Sequence, residues 1–81
     1  MLAIVPTRLL PAIRGFAPEI VPGSDPRVPP GSALVRVRVW HSGAAVRLVQ
    51  HGPGEIEIVS PPEARAAVSD WVEAALALYG E

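Results

Sequence analysis

An α+β fold is expected for this 81-residue chain, and three sequence patterns predict it. Val35, Val37 and Val39 alternate with Arg36, Arg38 and Trp40, which is the period of a strand with one buried and one open face. Ile56 and Ile58 alternate in the same way with Glu55 and Glu57. From Val68 to Tyr79 the period changes: Val68, Trp71, Val72, Ala75, Leu78 and Tyr79 recur at helical spacing.

The closing helix has the clearest start signal. Ser60-Pro61-Pro62-Glu63 reads as an N-cap serine, a proline in the first helical position and a capping-box acid. Gly80 stands where a helix commonly ends. Strands are expected over Ala33–Trp40 and Glu55–Val59. Between them, His41–His51 reads as a short helix, with Ser42 able to cap it. Its apolar stripe is Ala45, Val46, Leu48 and Val49, and Gly52-Pro53-Gly54 stops it.

The first half carries weaker signals. Leu2–Val5 is a strand candidate, and Glu19–Val21 a shorter one. Thr7–Gly15 reads as a helix capped by Thr7 and shortened by Pro11, because proline removes a backbone donor. Pro22–Ser32 holds four prolines and two glycines, which marks a long loop. The predicted order is β-α-β-β-α-β-α. Its first six elements match the split arrangement of a ferredoxin-like β-α-β-β-α-β sandwich, with an additional C-terminal helix.

Length and composition bound the function. Residues 1–81 suffice for one domain with one core. Only four residues are aromatic, so that core must be Val, Leu, Ile and Ala. There is no cysteine, which removes disulfides, thiolate metal sites and a cysteine nucleophile, and which fits a cytoplasmic location. No apolar run is long enough for a membrane span, and the opening MLAIVPTRLLPAIRG lacks the layout of a secretory signal. The net charge of −1 argues against direct DNA binding, which calls for a clustered basic surface.

Catalytic and metal patterns are weak. His41 and His51 are the only histidines, about one short helix apart, and spacing places no third ligand beside them. Ser42, His41 and Asp70 lack the nucleophile elbow that would make them a triad. Asparagine is absent, which disfavours the small ferredoxin-like hydrolases. The expectation is a non-enzymatic chain with no cofactor and no metal. The candidate binding residues are Arg36, Arg38 and Trp40 on one strand face. The plainer reading of the arginines is a solvated face paired with Glu19, Glu55 or Glu57. Exposed pairs of that kind contribute less than about 1 kcal/mol.

From Val35 onward the sequence resembles the C-terminal domain of WYL-family bacterial transcription regulators, the WYL C-terminal extension or WCX domain. The resemblance rests on Val35-Arg36-Val37-Arg38-Val39, on Val46-Arg47-Leu48-Val49-Gln50-His51-Gly52-Pro53, and on Glu55-Ile56-Glu57-Ile58-Val59-Ser60-Pro61-Pro62-Glu63-Ala64-Arg65. The tail Ala74-Ala75-Leu76-Ala77-Leu78-Tyr79 completes it, and the match covers about 45 of the 81 residues. The resemblance implies a ferredoxin-like module that helps dimerise such regulators and relays an effector signal. Its partners would be a second copy or a neighbouring WYL domain, and its effector a small molecule or nucleotide. The Trp-Tyr-Leu triplet of the middle domain is absent, as is a DNA-recognition helix. A stand-alone small-molecule or anion sensor, with Arg36 and Arg38 as its site, is the alternative.

Overall fold

The computed structural model describes residues 1–23, 25–38 and 43–80. Four strands form one antiparallel sheet: β1 (Leu2–Pro6), β2 (Glu19–Ile20), β3 (Ser32–Arg36) and β4 (Glu57–Ser60). A 3-10 helix (Thr7–Phe16) follows β1. The α-helices are α1 (Gly43–Val49), between β3 and β4, and α2 (Pro62–Tyr79), which closes the chain.

The sheet order is β2-β3-β1-β4. β1 pairs antiparallel with both β3 and β4, and β2 pairs antiparallel with β3. Consequently β1 and β2 run parallel with β3 between them, and β3 and β4 run parallel with β1 between them. Two crossover connections therefore interleave in one layer.

Side-chain alternation divides the sheet into two faces. Ala3 and Val5 of β1, Val35 of β3 and Ile58 of β4 point into the core, joined by Val37 just past β3. Ile13 from the 3-10 helix, Ala45, Leu48 and Val49 from α1, and Ala64 from α2 cover that face. The core is aliphatic: no polar or charged residue is buried among the described residues. On the opposite face lie Leu2, Ile4, Leu34, Arg36 and Glu57, with Leu2 opposite Arg36 and Ile4 between Leu34 and Glu57. The pairing of β1 with β4 slips by one residue between Leu2 and Ala3, leaving Val59 as the extra residue of a bulge.

The valine and isoleucine alternation stands as predicted. Val35, Val37, Ile56 and Ile58 are buried, and Arg36, Arg38 and Glu57 are exposed. Several boundaries move. β3 ends at Arg36, short of the predicted Trp40, and β4 begins at Glu57. Val39, Trp40, His41 and Ser42 lie outside the described residues, and with them the expected Ser42 cap.

At the start of α2 the cap position belongs to Pro61, not Ser60, and no side chain caps it. Ser60 is held instead as the last residue of β4, opposite Leu2. Two consecutive prolines satisfy the same start signal in either register, and strand pairing selects the later one. Glu63 still lies in the first turn, where its charge complements the helix dipole.

The segment after β1 is a 3-10 helix broken at Ile13, with Pro11 inside it, rather than a shortened α-helix. Pro11 cannot donate to the ladder, and tighter turns suit short runs. Pro6, not Thr7, holds the cap position. The Thr7 hydroxyl donates to the Gly31 carbonyl at 3.1 Å, and the Thr7 N–H to the same oxygen at 2.9 Å. These bonds pin the end of the proline-rich loop beside the start of the 3-10 helix.

Candidate functional site

Two surfaces stand out among the described residues. One is a cleft between the 3-10 helix and α1; the other is the outer half of α2.

The cleft is broad, about 1010 Å³, and collects residues distant in sequence. The 3-10 helix and the turn after it contribute Ala12, Phe16 and Ala17, and β2 contributes Glu19. Arg38 enters from beyond the end of β3. Ala44 and Arg47 come from α1, with Gln50 and His51 from the turn that follows. Phe16 and His51 form one wall, their rings edge to face with centroids 5.6 Å apart. The topology explains the meeting. The 3-10 helix and α1 both pack on the valine face, Ile13 and Leu48 anchoring them there, and their solvent sides flank the cleft.

Of the three candidate residues read from the sequence, Arg36 and Arg38 are both exposed but serve different surroundings. Arg36 lies on the sheet face opposite the valine face, across from Leu2 in β1 and Glu19 in β2. Arg38 lies two residues past the end of β3 and lines the cleft. Trp40 lies outside the described residues. Spacing does not join Arg47, Gln50, His51 and Phe16 into a site, because no linear motif links them.

The ion pairs among the described residues involve other arginines. Arg8 pairs with Glu55, tying the 3-10 helix to the turn before β4. Arg27 pairs with Asp25 inside the proline-rich loop at 2.7 Å, and Arg65 approaches Glu57 at 3.8 Å. Arg38 and Arg47 take no part in these pairs. The expected pairing of Arg36 with Glu19, Glu55 or Glu57 is likewise not among them.

The second surface follows from the length of α2. Its 18 residues extend about 27 Å, whereas the four residues of β4 span about 13 Å. Ala64 and Val68, near the start of the helix, pack against the core. The same stripe continues through Trp71, Val72, Ala75 and Tyr79 into solvent, flanked by Leu76 on one side and Leu78 on the other. Exposure rises from 2% at Ala64 to 62% at Leu76 and 81% at Tyr79. The long axis of the molecule is 40 Å, against 27 and 23 Å for the others.

No helix among the described residues is long and apolar enough to cross a membrane. Nor do the described residues gather three His, Asp or Glu side chains into a group able to hold a metal ion. Comparison of the chain with protein-family models, with curated proteins and with solved structures returned no significant match.

Proposed function

We propose that this chain is a non-catalytic assembly module that pairs with a second copy of itself through the outer half of α2. The observation that carries the reading is the exposed apolar ridge of Trp71, Val72, Leu76 and Tyr79. It continues the stripe that the first turns of the same helix bury. Patches of contiguous apolar side chains are uncommon on monomers and mark interaction sites. A helical ridge is self-complementary under a two-fold axis, where each copy presents the same patch to the other.

The reading extends to a kind of protein: a regulatory and dimerisation domain like the one that closes WYL-family transcription regulators. The sequence resemblance from Val35 to Tyr79 supports it. So does a ferredoxin-like arrangement, for which the order β2-β3-β1-β4 and the two interleaved crossovers argue. The 3-10 helix in the first crossover departs from that pattern. In this reading the DNA-binding and effector-binding parts lie in other domains, and the module transmits their state by pairing.

Sedimentation velocity tests the pairing. Three helical turns form less than the roughly 800 Å² per partner of a standard interface, so the association is concentration-dependent. The chain is expected to sediment increasingly as a dimer as it approaches millimolar concentration, and the Leu76→Glu/Tyr79→Glu variant as a monomer throughout. Both positions are exposed, so the substitutions leave the fold intact. A wild-type chain that stays monomeric over that range, or a variant that dimerises equally, contradicts the proposal.

A further inference from the structure

We infer that the cleft between the 3-10 helix and α1 binds a small organic carboxylate with an apolar body, held by Arg38 and Arg47. This site is separate from the α2 ridge and shares no residue with it.

The cleft has two kinds of wall. Ala12, Ala17 and Ala44 offer small apolar surfaces beside the half-buried ring of Phe16, which His51 braces edge-on. Arg38 and Arg47 both line the same space, with Gln50 as a neutral hydrogen-bonding residue. Ligand sites combine these parts: mostly apolar lining, with a few polar groups that fix orientation. Guanidinium is the side chain that matches a carboxylate, through parallel N–H donors.

The charge of the cleft favours an anion. Arg38 and Arg47 are the charged residues that α1 and the end of β3 bring to the lining, whereas Glu19 at its rim is the cross-strand partner of Arg36, so the lining is net positive in a chain whose overall charge is −1. Neither arginine is neutralised in the ion pairs found among the described residues. The apolar wall selects among anions: a ligand with an aromatic or branched body covers Phe16 and the alanines, whereas a bare inorganic anion leaves them wet.

The test is an NMR titration of the full chain with benzoate, with benzamide as its neutral counterpart and inorganic phosphate as the bare anion. Benzoate is expected to shift the amides of Gly15, Phe16, Ala44 and Arg47 saturably. Benzamide and phosphate are expected to bind at least roughly tenfold more weakly. Arg38→Gln and Arg47→Gln should each weaken benzoate binding roughly tenfold, the scale of one charge-assisted hydrogen bond. Arg14→Gln, outside the cleft, should leave it unchanged. The spectra report folding of each variant directly. No saturable response to benzoate, or an equal response to benzamide, overturns the inference. Unchanged benzoate binding in the folded Arg38→Gln/Arg47→Gln variant does the same.

Discussion

The Arg65 guanidinium, in the first turn of α2, donates a 2.7 Å hydrogen bond to the backbone carbonyl of Ile58 in β4. β4 is an edge strand with β1 on one side only, so a carbonyl directed away from β1 needs another donor. Arg65 supplies it and ties the first turn of α2 to β4. The bond is charge-assisted and partly buried. Arg65→Met, which keeps much of the aliphatic stem, is expected to cost about 1–2 kcal/mol in urea unfolding. Glu57→Gln, which removes only the long 3.8 Å contact to Arg65, is expected to cost under about 0.5 kcal/mol. Equal losses would assign the effect to the ion pair and not to the carbonyl.

A second prediction concerns pH. The Asp25 carboxylate accepts hydrogen bonds from the side chain and the backbone N–H of Arg27, and these hold its pKa down from 3.8 to about 2. A depressed folded-state pKa contributes stability above the unfolded value, and that contribution is lost as pH falls through the folded value. The window is therefore pH 4 down to about 2. The pair is exposed, so its contribution is small and screened by salt. The sharper readout is the Asp25 side-chain carbon shift, titrated by NMR: a midpoint near 2 in the native chain, moving towards 3.8 in Arg27→Ala. An unchanged midpoint in the variant would show that Arg27 is not the cause.

Two glycines beyond α1 are expected to respond to alanine for different reasons. Gly54 has φ +77° with open space around it, so Gly54→Ala costs about 1 kcal/mol of backbone strain. Gly52 is buried, and a Cβ there would lie 2.5 Å from Cδ1 of Leu9. Gly52→Ala therefore costs about 1 kcal/mol by overpacking. Thermal unfolding in a Leu9→Ala background separates the two: the cost at Gly52 disappears, while the cost at Gly54 persists. Persistence of both would mean that the Leu9 contact does not set the Gly52 effect.

Much of the second half was legible from side-chain periodicity. Val35, Val37, Ile56 and Ile58 face the core because alternation along a strand leaves only two faces, and arginines and glutamates claim the other. The first half was harder. Pro11 weakens any helix, and only the structure shows the chain tightening into 3-10 turns around it.

α2 starts one residue later than Ser60 as a cap would place it, since Pro61 and Pro62 both suit a helix start. Pairing of Ser60 with Leu2 decided between them, and that is a tertiary fact. The cleft was half visible: Arg38 stood out on its strand, but Phe16, Arg47, Gln50 and His51 meet it only through packing. The overhang of α2 was not legible: a strand over Ala33–Trp40, as the sequence predicts, is about as long as the helix, and only the structure ends β3 at Arg36 and gives β4 four residues, leaving the outer half of α2 overhanging the sheet.

That overhang is the basis of the assembly proposed for the chain, and a chemical cross-link locates it. The sequence contains no cysteine, so Leu76→Cys introduces a single thiol on the exposed ridge. Pro30→Cys places one in the exposed proline-rich loop as a reference. Under mild oxidation at equal concentration, Leu76→Cys is predicted to form disulfide-linked dimer at least roughly tenfold faster than Pro30→Cys, with Tyr79→Glu abolishing the difference. Equal rates for the two thiols, or a fast rate that survives Tyr79→Glu, would contradict pairing through α2.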